Sequence, residues 1–125
     1  MHFLKTILVA AVAVEHVYIL VLEMFLWNTP RGRKVFGLTA EFAAASRPLA
    51  ANQGLYNGFL AAGLFWSLLP AAAGFSAALQ GFFLGCIIVA AIFGAATAKR
   101  SILFVQGGPA IVALAALCAD ALSGG

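Results

Sequence analysis

The 125-residue chain predicts an all-α, polytopic membrane protein, a bundle of four transmembrane helices with a short interfacial segment after the first. Three observations predict it. Hydrophobic residues make up 64% of the chain, charged residues only 9%, and mean hydropathy is +1.06; a globule of this size leaves too much of its surface in water to hide that load. The apolar residues gather in four runs, each near the ~20 residues with which a helix crosses hydrocarbon. The runs are rich in Ala and Leu and lack alternation, which excludes strands whose open edges would lie in lipid.

The predicted spans are 3–27, 49–69, 75–98 and 102–122, within a single domain 1–125. Lys5 and the run to Ala11-Val12-Ala13 have the outline of a signal peptide, but the apolar pattern continues to Trp27 and reads as an uncleaved first helix. Trp27 and Trp66 fall near span ends, where indole rings favour the interface. Arg31, Arg33, Lys34 and Arg47 occupy the first connection, Lys99 and Arg100 the third, and the second has no basic residue. The positive-inside rule then orients the chain in the cell membrane with both termini non-cytoplasmic. Basic residues confined to short loops set orientation, so no nucleic-acid partner is expected.

The first connection is too long for a turn. Asn28-Thr29-Pro30 stops the first helix, and Gly32 and Gly37 are expected to keep the next stretch irregular. Thr39 caps a short helix with Glu41 in its first turn, and Pro48 ends or kinks it. Val35, Phe36, Leu38 and Phe42 on this basic segment would lay it on the cytoplasmic lipid surface. Gly54-x3-Gly58 and Gly81-x3-Gly85 signal close approach of helices. Cys86 and Cys118 sit in apolar runs with no metal-thiolate or disulfide pattern and read as packing residues.

Ionisable groups inside the first span are the sharpest functional signal, because charge at bilayer depth is costly and usually functional. In EHVYILVLEMFLW, His16 and Glu23 differ by about 20° in azimuth and about 10 Å along the axis, with Glu15 at the edge of the same stripe. The second span answers with Asn52, Gln53, Tyr56 and Asn57 within about 140° of its circumference, and Gly54 and Gly58 on the other side. Depth matching sets Asn52 and Gln53 level with Glu23. In the fourth span Gln106 stands at a similar level before Gly107-Gly108-Pro109, where proline disturbs the helix and frees carbonyls. Thr97, Gln80 and Asp120 look peripheral. A bland reading remains: amides and a tyrosine also serve as interhelical glue.

EHVYILVLEMFLW, TPRGRKVFGL and NQGLYNGFLAAGLFW resemble the signature of a bacterial family of small four-helix membrane proteins, domain of unknown function 1304. The resemblance covers nearly the whole chain and is most specific from Glu15 to Trp66. It implies that Glu15, His16, Glu23, Arg31, Lys34, Asn52, Gln53, Tyr56 and Asn57 belong to the family pattern, with no roles attached.

Three functions compete. The first is binding or transport of a small cationic or amphipathic ligand in a cytoplasmic-half pocket formed by Glu15, His16, Glu23, Asn52, Gln53, Tyr56, Asn57 and Gln106. A glutamate would act as counter-ion and His16 as proton partner. The second is an intramembrane enzyme on a lipid or isoprenoid, with catalytic candidates Glu15, His16 and Glu23. The third is a structural accessory subunit that docks through the stripe. No cofactor is expected, and His16 with Glu23 is a weak metal-ligand set. The expected partners are the lipid bilayer and a small ligand or lipid in the cytoplasmic-half pocket, and a homodimer would enlarge a unit small for a transport path.

Overall fold

A computed structural model describes residues 1–124. It is all-α. Helix α1 runs His2–Met24, α2 Pro30–Phe36, α3 Ala40–Ser67, α4 Ser76–Thr97 and α5 Gly108–Leu122. A 3-10 helix, Pro70–Phe75, leads into α4, and a π-helical turn, Leu103–Gly107, leads into α5. There is no strand among the described residues. Three segments are long and apolar enough to cross a membrane: His2–Met24, Pro70–Thr97 and Leu103–Leu122. The 28-residue α3 is not among them, because Asn52, Gln53, Asn57 and Arg47 interrupt its apolar character.

Packing divides the chain into two units, Val14–Ala61 and a second made of Met1–Ala13 with residues 62 onward. In the first unit, α1 stops three residues before the expected Trp27. Leu26 N–H reaches back to the Val21 carbonyl and Thr29 N–H to that of Leu26, so the chain turns. Thr29 then caps α2: its hydroxyl accepts from Gly32 N–H at 3.3 Å, and Pro30 occupies the first turn, where its missing N–H costs nothing. Gly37, at φ 66°, closes the helix in the left-handed conformation glycine adopts freely.

The stretch around Gly32 is therefore helical, where an irregular segment was expected. Glycine serves contact here, because a Cβ at Gly32 would collide with the Leu26 and Trp27 carbonyls. Trp27 stacks against Phe36, ring centroids 4.8 Å apart, and its indole N–H donates to Ser46 Oγ at 3.0 Å. Thr39 does cap the next helix, accepting from Phe42 N–H at 3.1 Å. Pro48 does not end it. Proline removes a single intrahelical donor, and α3 continues through it to Ser67.

In the second unit the apolar core is built from Val9, Val12, Leu64, Leu84, Ile87 and Leu117, all buried. The close approaches are not at Gly81 and Gly85. Gly85 has nothing within 4 Å of where a Cβ would stand, and with Cys86, Val89 and Phe93 it opens onto an apolar groove. Gly63 instead takes the Phe83 ring, and Gly94 takes Ile102. The expected irregularity before Pro109 is present as the π-helical turn, which seats Gly107 against Ala91. Cys86 is half-buried and Cys118 exposed, both as free thiols, so neither is a core packing residue.

Candidate functional site

The ionisable stripe of α1 and its partner on α3 lie together in the unit Val14–Ala61. Glu23 is only 8% exposed, and Asn57, 6% exposed, donates from Nδ2 to Glu23 Oε1 at 2.5 Å. The same amide nitrogen also donates to the Gln53 carbonyl at 3.3 Å. Glycine makes this reach short. A Cβ at Gly54 would stand 2.7 Å from Met24 Cγ and 3.0 Å from Glu23 Cβ, and one at Gly58 would meet the Leu20 side chain.

Higher on α1, His16 is 1% exposed, with Nδ1 at 3.9 Å from Glu15 Oε1. That carboxylate oxygen is itself buried and accepts no hydrogen bond. His16 is thus close to Glu15, its neighbour in sequence, while Glu23 is engaged by Asn57. Tyr18, on the exposed flank, accepts from Arg31 Nη2 at 2.6 Å and Nε at 3.0 Å, and the guanidinium stands 5.6 Å from the ring centroid.

The α3 face was partitioned differently from the sequence expectation. Ala50, Gly54, Asn57, Ala61 and Leu64 are buried, whereas Asn52, Gln53 and Tyr56 are exposed and are not gathered at Glu23. Close approach at Gly54 and Gly58 sets which side of α3 turns to α1, and Asn57 is the polar side chain that this contact brings to Glu23. Gln106 sits in the π-helical turn of the other unit. No group of three His, Cys, Asp or Glu residues arranged to hold a metal ion occurs among the described residues.

One charged pair escaped the sequence reading. Lys5 Nζ lies 2.8 Å from Asp120 Oδ2, with the two side chains 7% and 5% exposed, and His2 Nδ1 stands 3.6 Å from the same oxygen. The available signal was opposite charges inside two apolar runs, near the span ends assigned to one side of the membrane. A buried ion pair gains about as much from attraction as it loses by desolvation. Replacing both residues by leucine is therefore expected to leave helix content and thermal unfolding nearly unchanged, while Lys5→Leu alone strands the aspartate and lowers the transition. Circular dichroism melts of the two variants decide it; equal melts would mean that the charges do not interact.

A family model described as a protein of unknown function, DUF1304, matches residues 10–118. The chain belongs to this family. The matched segment includes every residue of the α1–α3 cluster and leaves out His2, Lys5 and Asp120. A relative named as the uncharacterized protein YpaA of Lactococcus lactis subsp. lactis (strain IL1403) is 34% identical over 116 residues, 91% of this chain and 96% of that protein. No solved structure matches the chain significantly.

Proposed function

We propose that this family member is a multi-pass protein of the bacterial inner membrane that binds, and carries, a small cationic or amphipathic ligand at Glu23 and the surrounding stripe. In this reading α3 is a fourth crossing, supported by its length of about 42 Å, and the first and third connections face the cytoplasm, supported by their basic residues. One observation carries the ligand class. Glu23 is a nearly buried carboxylate whose hydrogen-bonding partner is the neutral amide of Asn57. A buried charge is tolerated when a counter-charge or a proton neutralises it.

A ligand cation supplies that counter-charge, and it competes with a proton for the same oxygen atoms. Binding therefore strengthens as pH rises and releases a proton. Glu15, with a buried oxygen free of hydrogen bonds beside His16, is a second candidate station about 12 Å along the helix. Gln53 and Tyr56, exposed beside Asn57, supply neutral contacts to an arriving ligand.

The test uses purified full-length protein in neutral detergent with tetraphenylphosphonium and a short quaternary ammonium as probes. Wild type is expected to bind at least one of them more tightly at higher pH with proton release, and Glu23→Gln to weaken binding roughly tenfold or more. Equal affinity in Glu23→Gln, or no binding of either cation, overturns the reading. A second reading has its own observation: exposed Asn52, Gln53 and Tyr56 suit a polar docking face for another subunit. It predicts that changes at these three positions alter co-purifying proteins and leave cation binding intact.

A further inference from the structure

We infer that α2 is a headgroup-binding surface selective for anionic phospholipid in the leaflet that the first connection faces. The inference rests on the membrane-spanning reading and is independent of ligand binding at Glu23. Its basis is the way this short helix is seated. Gly32 packs against the Leu26 and Trp27 carbonyls and Phe36 against the Trp27 ring, so these two positions define the inward face. At 100° per residue Lys34 lies about 180° from the midpoint of that face, with Arg31 and Arg33 on its two flanks. The outward surface of α2 is therefore cationic by geometry, not merely by composition.

The two arginines are also held in place without being neutralised. Arg33 Nη1 donates to the Asn28 side-chain oxygen at 3.0 Å and to the Asn28 carbonyl at 3.1 Å. Arg31 is fixed on the Tyr18 hydroxyl. All of these acceptors are uncharged. Among the described residues no ion pair to a carboxylate is made by Arg31, Arg33, Lys34 or Arg47. Each guanidinium keeps further N–H donors for a planar, bidentate phosphate contact.

Charge complementarity thus selects a phosphate-bearing partner. A lipid is favoured over a free phosphate because Val35, next to Lys34 in α2 and 48% exposed, and Phe42, 57% exposed in the first turn of α3, offer apolar surface suited to acyl-chain contact. Basic residues next to a membrane helix each strengthen attachment to anionic lipid appreciably, and the effect fades with salt.

The experiment uses full-length Trp66→Phe protein in neutral detergent, so that Trp27 fluorescence reports on α2. Short-chain phosphatidylglycerol, phosphatidylcholine and soluble glycerol phosphate are titrated separately. Phosphatidylglycerol is expected to give a saturable, salt-sensitive change at concentrations where the other two give none. Lys34→Gln, at an exposed position that should not disturb folding, is expected to weaken it about fivefold, and the Arg31→Gln/Arg33→Gln/Lys34→Gln triple about a hundredfold. Lys99→Gln/Arg100→Gln, which removes equal charge per residue elsewhere, and Glu23→Gln should both retain the preference. An equal response to phosphatidylcholine, a response to glycerol phosphate alone, or an equal loss in Lys99→Gln/Arg100→Gln overturns the inference.

Discussion

Gly32→Ala is expected to destabilise the Val14–Ala61 unit by about 3 kcal/mol, at the upper end of what an added methyl group costs in a packed site. The reason is the nature of the atoms in the way. A Cβ at this position runs into two backbone carbonyls, of Leu26 and Trp27, which cannot turn aside as a side chain would. Either α2 lifts off the turn that follows α1 or that turn distorts, and both outcomes separate Trp27 from Phe36 and Ser46. Reversible unfolding in mixed micelles gives the magnitude, and Trp27 fluorescence in a Trp66→Phe background shows whether the indole has lost its partners. Gly85→Ala is the matched control. With nothing within 4 Å, it gains helix propensity and is expected to be neutral or slightly stabilising. If the two alanines behaved alike, the tight seat assigned to α2 would be wrong.

Asn57→Ala is expected to cost about 2 kcal/mol, because it removes the donor to a buried carboxylate oxygen. The same change in a Glu23→Gln background should cost distinctly less. There the acceptor carries no charge, and a neutral amide left without its partner is cheaper to bury than a carboxylate. The double-mutant cycle isolates the pair from the packing change that alanine also introduces at Asn57, since that change is common to both backgrounds. Equal costs in the two backgrounds would show that a charge on Glu23 adds nothing to its interaction with Asn57. This outcome is separate from the cation titration, which reads ligand affinity and not stability.

Much of the α1 half of the site was legible because periodicity places residues on a single helix with little ambiguity. Glu15, His16 and Glu23 share a stripe whatever α1 packs against, and His16 and Glu23 are buried as their cost in an apolar segment demands. The α3 half was less legible. Four polar residues within 140° look like one face, but only Asn57 turns inward, since the contact follows Gly54 and Gly58 rather than polarity. A sequence lists which residues are small and which are polar; it does not rank close backbone approach against amide burial. The Lys5–Asp120 pair was hidden for a related reason. Its members are 115 positions apart, and each alone reads as a charge near a span end.

Local chemistry determined the helical class, the Thr39 cap and the irregular turn before Pro109, because a cap hydroxyl or a missing N–H acts within a few residues of itself. Tertiary structure alone decided that α2 is helical and seated on Gly32, that Pro48 lies within a continuous α3, and that Asn57 rather than Asn52, Gln53 or Tyr56 meets Glu23. Those outcomes depend on how nearly two backbones can approach, a distance set by the side chains of both partners at once and therefore absent from either segment read alone.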